Sequence, residues 1–337
     1  MNYKRHTTLK DIAEVFGVSI ATVSRALKDS PEISRALTMK IQAAARKMNY
    51  HPNPMAMSLR GDALRVIGVV IPDLEEFFFS SALNGMEEEA RENGYFLIIT
   101  TSREKYDLEV RNVESLKNMR VEGIIASLSE ETENLEHFEM LKEIEMPVVF
   151  YDRVCLPKLF SSVTDDSSQA AKTLTKHLID TGYRSIAFIG GPNHLDIVKQ
   201  RKHGYCEALH EAGFPLRRDY IVCKGLTRAN GKSAMEQLLN LPSPPDAVFA
   251  MTDLLAHGAL EAIRGKGLRI PQDIAIAAFC DENMSRISTP RITSMSQQAY
   301  KMGRTAVRLL IDRINGSTKV EHIIVPMDFI IYESTKK

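Results

Sequence analysis

Arg25 is the residue in this chain best suited to reading a chemical code. It lies in Ile20-Ala21-Thr22-Val23-Ser24-Arg25-Ala26-Leu27, a helical pattern that buries Val23, Ala26 and Leu27 and turns Ile20, Ala21, Ser24 and Arg25 outward. A guanidinium donates two parallel hydrogen bonds to the O6 and N7 atoms of guanine in the major groove. Ser19, Thr22 and Ser24 offer hydroxyls for phosphate oxygens, and the apolar Ile20 and Ala21 suit thymine methyls or sugars. In a helix-turn-helix the N-terminal end of the second helix meets base edges, and that is the end these residues occupy.

The elements that must position them are legible on either side. Thr8-Leu9-Lys10-Asp11-Ile12-Ala13-Glu14-Val15-Phe16 puts Leu9, Ile12, Ala13 and Phe16 on one helical face, with Thr8 at its head in the expected DNA-contacting set. Gly17 suits the positive φ that ends this helix, and Ser19 is a good N-cap for the next. A third amphipathic helix runs from Ser34 to Met48, with apolar residues at Leu37, Ile41, Ala44, Ala45 and Met48. Beyond it, Asn53 caps a short helix whose first position is Pro54, where a missing N–H costs nothing. Met55, Ala56 and Leu59 form an apolar edge too short for a core. Leu59 beside Arg60 has the makings of a wedge that kinks DNA from the minor groove.

A second chemistry is suggested further on. Asp73 follows the first apolar strand and Phe77-Phe78-Phe79 opens the helix after it. Core packing is the plain role for some of these rings, yet a Phe at a strand-to-helix mouth also suits stacking on a sugar or base face. Asp253 stands at a helix start facing the same cleft, where capping and ligand contact compete. Two glycine-rich stretches are decoys. Gly225 and Gly231 are one position too far apart for a P-loop, and Pro192 deprives Gly190-Gly191 of an N–H that a phosphate cradle would use. No nucleophile elbow and no His-Glu-x-x-His zinc pair occurs, so neither catalysis, a cofactor nor a metal is expected.

Charge is distributed unevenly along a neutral chain. Residues 1–61 carry ten Lys/Arg against four Asp/Glu, and the remainder 33 against 39. A basic head on an acidic body favours a phosphate backbone bound at one end only. Asn2-Tyr3-Lys4-Arg5-His6 does not open a signal peptide, and no apolar run approaches the roughly 18 residues of a membrane span. Cys155, Cys206, Cys223 and Cys280 are too scattered for a disulfide framework or zinc ribbon, so a cytoplasmic address is expected.

From Val66 the chain alternates short apolar strands with amphipathic helices: strands at 66–71, 96–99, 123–126 and 148–150, then a restart with strands at 186–189, 220–222, 247–250 and 274–277. Continuous apolar strands between helices imply parallel sheets covered on both faces. The fold class expected is therefore α/β: a small all-α helix-turn-helix head and a two-lobed, doubly wound body with a ligand cleft between the lobes.

Three runs together carry a resemblance: Thr-Leu-Lys-Asp-Ile-Ala from Thr8, Gly-Val-Ser-Ile-Ala-Thr-Val-Ser-Arg-Ala-Leu from Gly17, and Asn-Tyr-His-Pro-Asn-Pro-Met-Ala-Met-Ser-Leu from Asn49. In order and spacing the chain resembles the lactose-repressor/galactose-repressor (LacI/GalR) family of bacterial transcription regulators. The resemblance implies a helix-turn-helix domain over 1–50 and a hinge helix and linker over 51–62. A periplasmic-binding-protein-like core follows over 63–337, its chain crossing between lobes near Phe160, Pro290 and His322. Lobe 1 would then hold about 63–160 and 291–322, and lobe 2 about 161–290 and 323–337.

Positions matching Asp73, Phe78 and Phe79 line the effector pocket in that family, and an arginine matching Arg201 clamps the ligand. Two departures stand out. Glu76-Phe77 replaces a common Asn-Pro, and Cys280 replaces the first Asp of a Gly-Phe-Asp-Asp run, leaving Asp281 as a substitute acceptor. Losing that carboxylate points to an effector that carries negative charge or several acceptors.

The function implied is a homodimeric regulator, a repressor first and an activator second, on palindromic operator DNA under control of a sugar or sugar derivative. A solute-binding protein of the same core fold is the alternative, against which the basic head argues. A sugar-active enzyme is a further one, against which the lack of a catalytic constellation argues.

Overall fold

The structure, a computed structural model, describes residues 7–50 and 65–336. The chain divides into two compact units between Leu64 and Arg65. The first holds α1 (Leu9–Phe16), α2 (Ile20–Leu27) and α3 (Arg35–Lys47). Local chemistry sets each boundary. Thr8 and Asp11 form a reciprocal capping box, with Thr8 N donating to Asp11 Oδ2 at 2.7 Å and Asp11 N to Thr8 Oγ1 at 3.3 Å. Gly17 closes α1 at φ 62°, a left-handed conformation that suits glycine. Ile12, Val23, Ala26 and Ile41 are sealed at the centre, and Leu27, expected inside, is only half-buried at the edge.

The second unit opens with β1 (Val66–Ile71), α4 (Phe77–Glu92), β2 (Phe96–Thr101), α5 (Tyr106–Asn118), β3 (Gly123–Ala126), α6 (Glu136–Glu143), β4 (Val148–Tyr151) and β5 (Ser161–Thr164). It continues with α7 (Ser167–Asp180), β6 (Ile186–Gly190), α8 (Asp196–Glu211), β7 (Ile221–Cys223), α9 (Arg228–Leu239), β8 (Ala247–Ala250), α10 (Asp253–Gly265) and β9 (Ala275–Phe279). It ends with α11 (Glu282–Ile287), β10 (Thr293–Ser296), α12 (Ala299–Ile314), β11 (His322–Ile324) and β12 (Asp328–Ile330). Two six-stranded sheets result, ordered β11-β5-β4-β3-β1-β2 and β12-β10-β9-β8-β6-β7. Every pair is parallel except β10 with β12. Apolar layers cover both faces of the first sheet, and one large cluster fills the second lobe.

Sheet membership moves the crossings. β5 and β11 belong to the first sheet, while β10 and β12 belong to the second. The chain therefore crosses at 165–166, 297–298 and 325–327, a few residues beyond the expected Phe160, Pro290 and His322. The cause is composition. Ser-Ser-Val-Thr and Thr-Ser-Met-Ser are buried strands written largely in hydroxyl residues, and His-Ile-Ile is three residues long. None carries the apolar run that marks the central strands. The Gly225–Ser233 stretch is a loop and helix start as expected, with Thr227 Oγ1 accepting from Asn230 N at the head of α9.

Helices meet at points where no side chain fits. A Cβ on Gly85 of α4 would lie 2.0 Å from Tyr300 O, and one on Gly303 of α12 would lie 2.0 Å from Ala82 O. Gly231 of α9 and Gly258 of α10 interlock in the same way in the other lobe. Gly303→Ala gains roughly 1 kcal/mol of helix propensity but forces backbone apart in a filled core. Net destabilisation of about 2 kcal/mol is expected, read as a lower urea midpoint at unchanged m-value. Gly265→Ala, whose new Cβ meets nothing within 4 Å, should leave the midpoint unchanged or raise it slightly.

Candidate functional site

In the helical unit, α2 presents Ile20, Ala21 and Arg25 to solvent, with Thr22 and Ser24 half-buried beside them. Ala21 and Arg25 are one turn apart, as are Ile20 and Ser24, so they form one face. Ser19 Oγ accepts from Thr22 N at 3.1 Å and shares a hydrogen bond with Thr22 Oγ1 at 2.9 Å. That pair fixes the start of α2. Arg25 Nη1 rests 2.9 Å from Glu32 Oε2, an exposed ion pair worth at most about 1 kcal/mol, which a guanine edge could displace. Thr8 is exposed and tied into its capping box. Asn53, Ala56 and Leu59 lie outside the described residues.

In the second unit a cavity of about 30 Å³ sits between the lobes. That is space for one or two waters. Its walls come from the carboxyl ends of strands, where open α/β sheets bind ligands. Glu76 and Phe78 follow β1, Asp152 and Arg153 follow β4, Met251, Thr252 and Asp253 follow β8, and Phe279, Cys280 and Asp281 end β9. Arg201 and Ile197 reach in from α8, Leu226 from the loop before α9, and Gln297 from the second crossing. At the rim, Glu130 of the first lobe accepts from Leu226 N at 3.2 Å through Oε2, and its carbonyl lies 2.6 Å from His194 Nε2.

Arg201 is 2% exposed and held on three sides. Nη1 donates to Met251 O at 2.7 Å, Nε to Ser167 Oγ at 3.2 Å, and the guanidinium lies 3.9 Å from the centre of the Phe279 ring. Nη2 has no hydrogen-bond partner, and its nearest carboxylate, Asp165 Oδ2, is 3.9 Å away. Arg153 is spoken for. Nη1 donates to both Glu104 oxygens at 2.8 Å, with Asp152 at 3.9 Å and Glu76 at 4.0 Å. Gln297 Nε2 donates to Asp165 Oδ2 at 2.7 Å and to Asp152 Oδ1 at 3.3 Å, stitching the first crossing to the second.

Burial pushes Glu76 up to about 8, with Arg153 opposing and Asp253, Glu104 and Asp152 adding to the rise. Asp152 and Asp253 are also raised, chiefly by burial. Burial likewise pushes the Cys280 thiol up, so it stays protonated and adds no charge.

Phe78, Arg201, Asp253, Cys280 and Asp281 come together as wall residues. Asp73 and Phe79 do not. Asp73 Oδ1 accepts from Glu75 N at 2.7 Å in a local turn, and Phe79 is fully buried, edge-on to Phe78 and Tyr151. Phe78 alone of the pair reaches the cavity, lying parallel to Tyr151. The cap of α10 is Thr252, whose Oγ1 accepts from Leu255 N at 3.3 Å, and Asp253 is the first helical residue. Sequence reasoning noted Glu76 only as a departure from the family pattern and passed over Asp152, Arg153 and Gln297. Asp152 and Arg153 were findable, because they directly follow an apolar strand. Gln297 was hidden behind the hydroxyl-rich β10.

The expected effector, one carrying negative charge or several acceptors, meets a wall with more carboxyls than guanidiniums. The carboxylate lost at Cys280 is more than replaced by Glu76 and Asp152 on the opposite lobe, leaving four wall carboxyls against two guanidiniums.

Comparisons with known proteins agree on both units. Residues 8–53 match the family described as bacterial regulatory proteins, lacI family. Residues 65–333 match the periplasmic binding proteins and sugar binding domain of LacI family. Catabolite control protein A of Priestia megaterium is 33% identical over 337 residues, covering 98% of this chain and 100% of that protein. The HTH-type transcriptional repressor CytR of Escherichia coli K12 is 32% identical over 322 residues, covering 92% and 90%. Among solved structures, the transcriptional regulator CelR in complex with cellobiose has a TM-score of 0.75 at 29% identity, covering 98% and 100%. The lac repressor dimer bound to operator and the anti-inducer ONPF, at 24% identity, shares the fold with a TM-score of 0.85 over 98% of this chain and 99% of that one. The chain belongs to the LacI family of bacterial regulatory proteins.

Proposed function

We propose that this protein is a homodimeric repressor whose hold on palindromic operator DNA is set by a small sugar-like metabolite bound between its lobes. The observation that carries the reading is Arg201 Nη2, buried in the interlobe cleft without a partner, on a chain that also presents an exposed Arg25 on a recognition helix. A buried donor left open is costly, and a ligand oxygen is the partner it lacks. The relatives named as repressors and the sugar complex among the structural neighbours support the same reading.

The mechanism follows from where the wall residues sit. Glu76, Phe78, Asp152 and Arg153 belong to one lobe, and Arg201, Asp253, Phe279 and Cys280 to the other. A ligand touching both sets alters the free energy of lobe closure. Coupling of that closure to operator binding is typically worth about 1–3 kcal/mol, five- to 150-fold in affinity. Phe78 supplies an apolar platform, and the carboxyls and Arg201 accept from and donate to hydroxyls.

Two outcomes test it. Arg25→Ala should weaken operator binding by about 1–3 kcal/mol and relax base preference at one position per half-site, measured by fluorescence anisotropy on a panel of single-base operator variants. Unchanged relative affinities across the panel would remove Arg25 from base reading. Arg201→Lys keeps the charge but loses the planar fork. It should retain operator binding in the absence of effector while losing at least tenfold in response to a cell-extract metabolite fraction that shifts the parent protein. A variant with full response would take the effector site away from the cleft.

A further inference from the structure

Glu76 is in an unusual place for its chemistry. It holds the N-cap position of α4, yet its side chain makes no cap hydrogen bond and is instead 7% exposed in the cleft wall. The resembled family commonly has Asn there, so the carboxyl is a feature of this chain. Across the cleft, Asp253 is equally buried, with Oδ1 accepting from Leu254 N at 2.7 Å. The two carboxyls come from opposite lobes, and Asp253 adds through space to the rise in Glu76's proton affinity, while Asp253's own rise comes chiefly from burial, with Asp281 adding.

The two wall guanidiniums are shared among more carboxyls than they can neutralise. Arg153 spends Nη1 on Glu104 and stands 4.0 Å from Glu76, and Arg201 faces Asp165 from the second lobe. Buried like charges are tolerated only if they take up protons or receive a cation. Among the described residues no three His, Cys, Asp or Glu side chains are placed to hold a metal ion, so the geometry favours an organic cation. A phosphate or carboxylate ligand would bring further negative charge into a wall that already holds more carboxyls than guanidiniums.

We infer that the effector is a polyhydroxylated small molecule bearing a protonated amino group, held between Glu76 of one lobe and Asp253 of the other, with Arg201 Nη2 taking one of its oxygen acceptors. This rests on the reading of the cleft as the effector site. It makes the ammonium itself the bridge between lobes, so the charge that selects the ligand is also what draws the cleft shut.

The amine also has a thermodynamic signature. Burial raises Glu76's proton affinity, Arg153 opposing and Asp253, Glu104 and Asp152 adding. An ammonium bound beside it lowers that affinity and expels the proton to solvent.

The experiment is titration calorimetry of the full-length protein at pH 7 in two buffers of different ionisation enthalpy. The probes are glucosamine, galactosamine and mannosamine against glucose, galactose and mannose, and against glucose 6-phosphate and glucuronate. At least one amino sugar should bind tenfold or more tighter than its neutral parent, with net proton release. Glu76→Gln, and Asp253→Asn as a second variant, should erase the margin; their melting curves confirm folding. A neutral or anionic sugar that binds tighter than its amino counterpart overturns the inference. So does an amino sugar bound without proton release, a margin that survives Glu76→Gln, or silence of the whole amino set. A neutral or anionic hit that Arg201→Lys abolishes leaves the cleft reading standing, whereas a hit indifferent to Arg201→Lys overturns the cleft reading itself.

Discussion

Charge removed from water must find a counter-charge or give up its ionisation, and the floor between the two lobes is organised by that demand. Arg153 and Arg201 are both buried, and their shortest hydrogen bonds go to a carboxylate and a main-chain carbonyl beyond strand ends, Glu104 and Met251. Asp165 and Gln297 occupy the crossing segments themselves, and their hydrogen bond joins the two crossings at the level of the cavity. The polar network is thus built into the backbone links between lobes. Any ligand that changes its balance acts directly on the hinge.

Within each lobe the opposite condition holds. Gly85 against Tyr300 O, Gly303 against Ala82 O, and Gly231 against Gly258 bring helix backbones into direct contact, leaving no slack for side chains to re-pack. Stiff lobes joined by short crossings concentrate motion at the cleft and its rim, where Glu130 touches Leu226 and His194. Closure of two such bodies around a ligand is a hinge movement of the kind packed domains support.

Much of the architecture was readable because burial on both faces of a parallel sheet requires unbroken apolar runs. Val66–Ile71, Ile186–Ile189 and Ala247–Ala250 announced themselves in that way, and helix ends at Gly17, Gly94 and Gly182 carry the positive φ that glycine tolerates best. The strands that joined the lobes were not readable on the same basis. Buried Ser161, Ser162 and Thr293 satisfy their positions by hydrogen bonding and Ser294 fits by small size, which leaves no hydrophobic trace in one sequence.

The face proposed to read DNA was determined by the sequence alone, since Ile20, Ala21 and Arg25 are neighbours on one short helix capped by Ser19 and helical periodicity places them without tertiary help. So were the two-lobed α/β class and the basic head. The cleft was decided by tertiary structure. Its walls join residues as distant as Glu76 and Asp253, or Asp152 and Gln297, and no local spacing links them. Sequence reasoning at Cys280 counted one lost carboxylate on one strand end. Only the folded chain shows the opposing strand ends supplying Glu76 and Asp152 across the gap, because the charge of a pocket is a sum over every element that faces it.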